Sequence, residues 1–150
     1  MVKLSPESAL KVRDGTVVVG QNANDTIFTT PKDAGLVDIL LADKLIQKFN
    51  AENAYGHNDW RLPNDDEREV LIGLADEKAL RNTFNTCHWP NRKLSNCYLS
   101  SQDLTRFSDR PEPQNEMILL EAKDGYREYA YKKSGVQFFI RPVRNGPMPV

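Results

Sequence analysis

The residues of this chain best suited to act as nucleophile, base or soft metal ligand are its two cysteines, Cys87 and Cys97, and its two histidines, His57 and His88. The cysteines are not spaced as a CxxC pair, and His88 alone does not complete a zinc site with them. With only two histidines, the sequence shows no convincing Ser/His/Asp catalytic triad. It also has no glycine-rich phosphate-binding loop. We therefore predict no metal site and no catalytic residues.

The cysteine pair leaves one catalytic alternative open. Cys87 and Cys97 flank a polar stretch and could close a short disulfide, but such a bond persists only in an oxidising compartment, so we favour two reduced thiols. A reactive thiolate needs a nearby cation or helix N-terminus, which only His88 and Arg92 could supply. An enzyme that uses Cys87 or Cys97 stays an alternative function.

The length and the net charge of the chain limit the number of domains and the kinds of partner that we expect. The 150 residues suit one domain, 1–150, and the net charge is −1, with 20 basic and 21 acidic residues interspersed. This balance argues against binding to nucleic acid or anionic membrane surfaces, and no apolar run is long enough for membrane insertion. The start lacks an apolar signal segment, so we expect a cytoplasmic protein unless a non-classical or specialised route exports it. The sequence does not indicate an oligomeric state.

The first half must supply the scaffold for any binding loop. Residues 15–20 and 25–28 read as a β-hairpin, and we expect a long helix over 30–50 that begins at Thr30 as N-cap. Its core-facing residues would recur every four positions: Val37, Leu41, Leu45 and Phe49.

A second helix is predicted after Asn64, because Asn64 can cap it and Glu67 stands at the third position of a capping box. Val70, Leu71 and Leu74 form its buried face, and a further short helical turn is expected within 76–84. The acidic residues at the start of this helix are explained by the helix dipole. Residues 85–96 read as a long surface loop.

The last third is rich in strand patterns. Residues 116–122, 126–132 and 136–143 read as strands joined by tight turns at Asp124-Gly125 and Ser134-Gly135, which predicts an antiparallel meander. Helices first and strands last indicate an α+β fold, with two main helices packed on a twisted antiparallel sheet.

Three ordered motifs carry a family resemblance. Residues 55–64, Tyr-Gly-His-Asn-Asp-Trp-Arg-Leu-Pro-Asn, resemble the "GxxDWRLPTxxEL" core of the Lcl C-terminal domain family. Residues 97–101 resemble its "YWSS" strand, residues 139–144 its closing "VRCVR" strand, and residues 15–17 its "DGTV" opening. The resemblance covers about residues 13–144. It implies a C-type-lectin-like fold in a bacterial family of unknown function, whose adhesive members imply a role in host interaction.

The chain departs from the family pattern at three positions. Leu99 replaces the usual Trp, Pro142 replaces the usual Cys, and Arg68 stands where Leu is common. The substituted cysteine implies that a disulfide typical of exported relatives is missing here.

The residues of the first motif have structural explanations. The ring of Trp60 should be buried with its indole N–H on a carbonyl, and Pro63 should fix the chain that enters the second helix. Arg61 has five donors that can tie loop carbonyls or Asp59 together. We therefore interpret this motif as scaffold: Asp59, Trp60, Arg61, Leu62 and Pro63.

Calcium-dependent sugar binding is not favoured, although a lectin-like fold suggests it. Residues 112–115 are similar to the "EPN" motif of C-type lectins, but they carry an extra Gln and no "WND" partner follows. Calcium needs six to eight oxygen ligands, which this segment does not supply. We expect no cofactor.

The region 86–113 is the predicted binding surface, because polar loops on a rigid scaffold carry most recognition. Its Trp, Tyr and Arg residues are typical of binding hot spots, although Trp89 and Phe107 could instead pin the loop to the core. We predict a noncatalytic module that binds a protein or glycan partner. An intracellular accessory subunit that binds a protein through the meander is a further alternative. The candidate binding residues are His88, Trp89, Arg92, Tyr98, Arg106, Phe107 and Arg110.

Overall fold

The computed structural model describes residues 2–85, 97–103 and 137–147 with their side chains, and residues 117–121 and 127–131 as backbone. The helices are α1 (Ala42–Ala51) and α2 (Asp65–Gly73), and short 3-10 helices lie at Ile39–Leu41, Ala54–Gly56 and Lys78–Leu80. The strands are β1 (Val17–Asn22), β2 (Asp25–Thr29), β3 (Gly35–Asp38), β4 (Met117–Glu121), β5 (Arg127–Tyr131), β6 (Gln137–Ile140) and β7 (Val143–Gly146). No helix in these ranges is long and apolar enough to cross a membrane.

The strands form antiparallel sheets. β1, β2 and β7 make a three-stranded sheet in that order, β3 pairs with β6, and β4 pairs with β5. The predicted α+β fold and the first β-hairpin are confirmed. Because β7 lies beside β2, the first hairpin and the last strand of the described chain belong to one sheet.

The predicted long helix over residues 30–50 is wrong in its first part. Residues 35–38 are strand β3, which pairs with β6, and helix α1 begins only at Ala42. Thr30 donates its hydroxyl hydrogen bond to the carbonyl of Lys32 and does not cap a helix, whereas Asp38 caps the 3-10 helix that precedes α1. The four-residue period also failed at Leu41, which is exposed. Pairing with a strand about 100 residues away overrode the local helical pattern.

The second helix begins as predicted. The side chain of Asn64 accepts a hydrogen bond from the N–H of Glu67 at 2.8 Å, and the carboxylate of Glu67 accepts one from the N–H of Asn64 at 2.9 Å. This is a complete capping box. Leu71 and Leu74 are buried. The short turn expected within residues 76–84 is the 3-10 helix Lys78–Leu80.

The predicted three-stranded meander is wrong in its third strand. β4 and β5 pair as expected, but in the described parts of the chain the sheet partner of β6 is β3 rather than β5. The run 136–143 is also interrupted at Arg141 and Pro142 before β7. Pro142 has no N–H for a ladder hydrogen bond. Its carbonyl accepts a hydrogen bond from the hydroxyl of Thr29 at 2.8 Å. The chain therefore leaves one sheet and enters another within two residues.

Apolar side chains fill three adjoining clusters. The first lies between the β1–β2–β7 sheet and α2, and the second between the β3–β6 pair and α1. The third packs Cys97 and Tyr98 against Phe139. Each fully buried Val, Leu, Ile or Phe side chain contributes about 1.5–3 kcal/mol. The fully or nearly fully buried members of the first two clusters include Val17, Val19, Ile27, Leu71, Leu80, Leu99, Phe138, Ile140 and Val143.

The N-terminal segment covers the outer edge of β1. Lys3 exchanges two backbone hydrogen bonds with Gln21, and the N–H of Ala9 donates to the carbonyl of Val18 at 2.6 Å. Gly20 faces this segment, and a Cβ there would overlap the Lys3 carbonyl oxygen and press on Val2. An edge strand that is paired in this way does not offer free backbone groups to other chains.

Candidate functional site

Tyr98 is the one candidate binding residue that lies within the described parts of the chain. His88, Trp89, Arg92, Arg106, Phe107 and Arg110 lie outside them. Tyr98 was expected to be exposed, but only 2% of its surface is accessible. Its ring stacks on Phe139 at a centroid distance of 5.5 Å and meets Phe84 edge-on at 5.3 Å. Tyr98 is therefore part of the hydrophobic core.

The hydroxyl of Tyr98 closes a polar network with Asp33 and Asn85. It donates to Asp33 Oδ2 at 2.6 Å and accepts from the backbone N–H of Asn85 at 2.9 Å. The side-chain amide of Asn85 also donates to Asp33 Oδ2. Burial, and after it the hydrogen bond to Asp33, raises the pKa of Tyr98 well above its usual value of 10.0. The phenol is thus neutral and acts as a donor to the carboxylate.

Arg141 neutralises Asp33 from the other side. Its Nε donates to Asp33 Oδ1 at 2.8 Å, and both side chains are almost fully buried. The remaining donors reach the carbonyl of Thr30 at 2.9 Å and the carbonyl of Thr83 at 2.6 Å. The guanidinium carbon lies 4.0 Å from the centre of the Phe84 ring, a cation–π distance. One arginine thus joins the ends of β2 and β6 to the segment just before residue 86.

A second buried arginine, Arg68 on α2, holds the following segment. Its Nη1 donates to Asp103 Oδ2 at 2.8 Å and to the carbonyl of Tyr98 at 3.1 Å. The side chains of Arg68 and Asp103 are 4% and 1% exposed. Asp103 Oδ2 also accepts from the N–H of Ser100 at 3.0 Å. Arg68 therefore has a matching carboxylate in this chain.

Ser100 adds a third connection to α2. Its hydroxyl donates to Asp65 Oδ1 at 2.6 Å, and the N–H of Asp65 donates to the side chain of Gln102 at 2.7 Å. The N–H of Ser101 donates to the carbonyl of Pro63 at 2.8 Å. Residues 97–103, which we call the bridge segment, are therefore tied to the start of α2 by side chains and backbone.

Trp60 occupies the buried position expected for it. Its indole N–H donates to the carbonyl of Ala54 at 2.9 Å, and its backbone exchanges two hydrogen bonds with the side chain of Asn50. The rings of Phe49 and Tyr55 meet it at centroid distances of 5.6 and 6.1 Å. Tyr55 adopts a left-handed backbone conformation, φ 55°, which this packing stabilises. These contacts support the interpretation of the motif as scaffold.

Arg61 ties the motif to α2 and to β7. Its two terminal nitrogens donate to the two carboxylate oxygens of Glu67, each at 2.7 Å, and its backbone exchanges hydrogen bonds with Val143 at 2.9 Å. Burial alone would raise the pKa of Glu67, but hydrogen bonds from Arg61 and from the N–H of Asn64 outweigh it and lower that pKa. Glu67 is therefore an ionised, buried carboxylate that is paired with Arg61 and bonded to the N–H of Asn64.

Two further pairs lie nearer the surface. Arg144 Nε donates to Asp59 Oδ1 at 2.7 Å, and this bond lowers the pKa of Asp59, which is 52% exposed. His57 Nε2 lies 2.7 Å from Asp14 Oδ2. Burial raises the pKa of Asp14, but hydrogen bonds from Thr16 and His57 outweigh it and lower that pKa. The described residues contain no group of three His, Cys, Asp or Glu side chains that could hold a metal ion.

The state of Cys97 corrects the expectation of two reduced thiols. Cys97 is disulfide-bonded and buried. Cys87, the second cysteine of the sequence, lies outside the described residues. A sulfur held in a disulfide is not a free thiolate, so Cys97 is not available as a nucleophile in this state.

Sequence reasoning missed the carboxylates that partner the arginines. Asp33 lies inside the segment predicted as a helix over residues 30–50, and Asp103 carries no local sequence signal. Arg68 was recognised as a departure from the family pattern, and a charged residue on the apolar face of a helix is a signal that an opposite charge lies opposite it. That signal could have prompted a search for Asp103, but it does not identify the partner by itself.

Comparison with known proteins identifies one family. The family model described as the Lcl C-terminal domain matches residues 16–144. No curated protein matches the chain. The matched region contains all four arginine–carboxylate pairs described above, and it leaves out the N-terminal segment that covers β1.

Proposed function

This chain belongs to the Lcl C-terminal domain family, and from that premise we propose that it is a noncatalytic recognition module that binds a protein or glycan through residues 86–113. Loops displayed on a rigid scaffold carry most recognition, and function depends on such sites rather than on the fold. The proposed contacts come from the two sequence stretches that flank the bridge segment, which include the Trp and Arg residues typical of binding hot spots. They are His88, Trp89, Arg92, Arg106, Phe107 and Arg110.

The support for this location is the anchoring of the chain around it. Asn85 is held by Tyr98 and Asp33, and Asp103 is held by Arg68. The anchoring residues Tyr98, Arg68 and Asp103 are buried, whereas Asn85 itself lies at the surface. A binding surface benefits from such anchors, because a preorganised contact loses less conformational entropy when a ligand binds.

The proposed fold within the α+β class is C-type-lectin-like. Its support is the return of β7 to β2, which brings the two ends of the family match into one sheet, while α1 and α2 both precede the bridge segment. The alternative of an enzyme that uses Cys97 loses support, because Cys97 is disulfide-bonded.

A binding experiment with matched variants tests the function. The double variant Trp89→Ala/Arg92→Ala removes two proposed contacts, and Lys48→Ala/Glu52→Ala removes an exposed ion pair at the C-terminal end of α1 as the control. Both proteins and the parent chain would be applied to a glycan array and used as bait in a pull-down. We expect a ligand retained by the parent and by the control but lost by the Trp89/Arg92 variant. Equal retention by all three would show that residues 86–96 are not the binding surface.

We propose that binding needs no calcium. An ion that binds only the native state raises its stability in proportion to RT ln(1 + [L]/Kd). Thermal melts in millimolar calcium and in excess chelator should therefore coincide. A higher Tm in calcium would contradict the proposal and would favour a calcium-dependent sugar site.

A further inference from the structure

We infer that the N-terminal segment, residues 2–10, is an exchangeable strand, and that two copies of this chain form a dimer in which each copy places this segment in the groove of the other. The groove is the space between β1, the start of α2 and the 3-10 helix Lys78–Leu80. The family match begins at residue 16, so the segment is an addition to the shared scaffold. The inference concerns an assembly surface and does not rest on the proposed binding function.

One wall of the groove is the outer edge of β1. Lys3 and Gln21 exchange two backbone hydrogen bonds, at 2.7 and 2.8 Å. The N–H of Ala9 donates to the carbonyl of Val18 at 2.6 Å, and the N–H of Val18 donates to the carbonyl of Leu10 at 2.9 Å. The segment runs antiparallel to β1. It therefore extends the β1–β2–β7 sheet by one irregular strand, and its contacts are of the kind that a strand from another chain can also make.

The opposite wall of the groove is helical. The N–H of Val2 donates to Asp66 Oδ2 on α2 at 2.9 Å, and the N–H of Ala79 donates to the carbonyl of Ala9 at 3.0 Å. Val2 and Ala9 are buried and belong to the first apolar cluster. An empty groove would expose the apolar surface that these two side chains cover, so its occupation is favoured.

The shape of the groove favours this segment over other extended peptides. A Cβ at Gly20 would overlap the carbonyl oxygen of Lys3 and would lie 2.8 Å from Val2 Cγ1, so the two backbones approach unusually closely. Ala9 adopts φ 67°, which is outside the range of an extended strand. The same segment of a second copy reproduces both features. A second copy of this chain is therefore the partner that fits the groove.

Residues 11–16 join the segment to β1 and form the hinge. In their tight turn, the N–H of Val12 donates to the carbonyl of Thr16 at 2.9 Å. The N–H and the hydroxyl of Thr16 donate to Asp14 Oδ1 at 2.9 and 2.6 Å, and His57 Nε2 lies 2.7 Å from Asp14 Oδ2. Six extended residues span about 20 Å, enough to carry the segment away from its own β1. Exchange regains the groove contacts in the second copy and loses those of the turn, so the balance depends on protein concentration and on the stability of the turn.

The first experiment weakens the hinge in the intact chain. Asp14→Ala removes a carboxylate that stabilises the closed turn and that the exchanged dimer does not use. Asp38→Ala is the matched control, because Asp38 also accepts a hydrogen bond from a backbone N–H two positions later, that of Leu40, but lies in β3. Light scattering from micromolar to millimolar protein gives the Kd of the dimer. We expect Asp14→Ala to lower this Kd at least about ten-fold, and Asp38→Ala to leave it unchanged.

The second experiment tests whether the dimer forms by exchange. Gly20→Ala blocks the groove and keeps the segment, whereas Ala9→Asp places a charge in the buried part of the segment and keeps the groove. Both changes are made in the Asp14→Ala chain, and the two proteins carry different labels. We expect a mixed dimer when they are combined and no dimer from either one alone, because only the mixture contains an intact segment and an intact groove.

Thermal melts first establish that each variant is folded. If Ala9→Asp does not fold, Lys3→Pro replaces it, since this change removes the N–H that bonds to Gln21 at an exposed position. Dimers formed by either variant alone, or no mixed dimer from two folded variants, would overturn the inference. An Asp14→Ala chain that remains monomeric at millimolar concentration would overturn it as well.

Discussion

Arg141 Nε donates a hydrogen bond to Asp33 Oδ1 across 2.8 Å, between residues that are 108 positions apart in the sequence. Asp33 in turn accepts from Tyr98, so the closing motif of the family and its middle motif share one carboxylate. Arg61 links the first motif to β7 through the side-chain amide oxygen of Asn145 and through backbone hydrogen bonds with Val143. The three motifs are therefore parts of one interlocked scaffold, and the family match identifies that scaffold.

The Arg141–Asp33 pair should be far more important for stability than the Arg144–Asp59 pair. Arg141→Met leaves the buried carboxylate of Asp33 without its cation, and breaking a buried pair in this way costs about 3–5 kcal/mol. Arg144→Met leaves Asp59, which is half exposed, to be solvated by water, so it should cost about 1 kcal/mol. Urea unfolding of both variants measures the difference. Equal losses would mean that Asp33 finds another partner.

A double-mutant cycle should show that Arg68 is needed mainly because Asp103 is buried. Arg68→Leu alone should cost about 3–5 kcal/mol, because it leaves the buried carboxylate of Asp103 without its cation. Arg68→Leu/Asp103→Asn should recover most of that loss, because asparagine is uncharged and its oxygen still accepts from the N–H of Ser100. The free energies of unfolding of the four proteins give the coupling energy. Simple additivity of the two single changes would contradict this account.

Gly20 should be required for the N-terminal segment to cover β1. A Cβ at this position would overlap the backbone of Lys3, so Gly20→Ala should displace residues 2–4 and cost about 1–3 kcal/mol. Gly73→Ala is the control, because no atom outside its helix lies near a Cβ there and alanine favours helices. Limited proteolysis should cleave the N-terminal segment faster in Gly20→Ala only. Unchanged cleavage would show that the segment does not need this close approach.

Glu67 should contribute to stability at neutral pH and lose that contribution in acid. Its folded-state pKa is lowered, so its stabilisation is complete above the ordinary carboxyl pKa of 4.5 and disappears as the pH falls through the lower folded value. Glu67→Gln should cost about 2–3 kcal/mol at pH 7 and progressively less below pH 4.5. Urea unfolding between pH 7 and pH 3 checks this, with Glu52→Gln as an exposed control. If the difference in unfolding free energy between Glu67→Gln and the parent stayed constant from pH 7 to pH 3, Glu67 would not contribute to the loss of stability in acid.

The sequence by itself determined those structural features that depend on side chains only a few residues apart. The capping box of Asn64 and Glu67, the hairpin of β1 and β2, and the burial of Trp60 all follow from side chains that act on their own neighbourhood. These features could be predicted because no distant segment competes for the same backbone groups.

Only the tertiary structure decided the features that depend on distant partners. Residues 35–38 carry a helical pattern but are a strand, because β6 offers a complete set of backbone partners. The run 136–143 divides between two sheets. Arg141 forms an ion pair with Asp33, and Pro142 has no N–H to donate to a neighbouring strand. Tyr98, which was predicted to be part of the binding surface, is a buried donor because its hydroxyl binds the carboxylate of the distant Asp33. A buried charge must be met by an opposite one, and the sequence shows that such a partner is needed while only the fold selects which carboxylate it is.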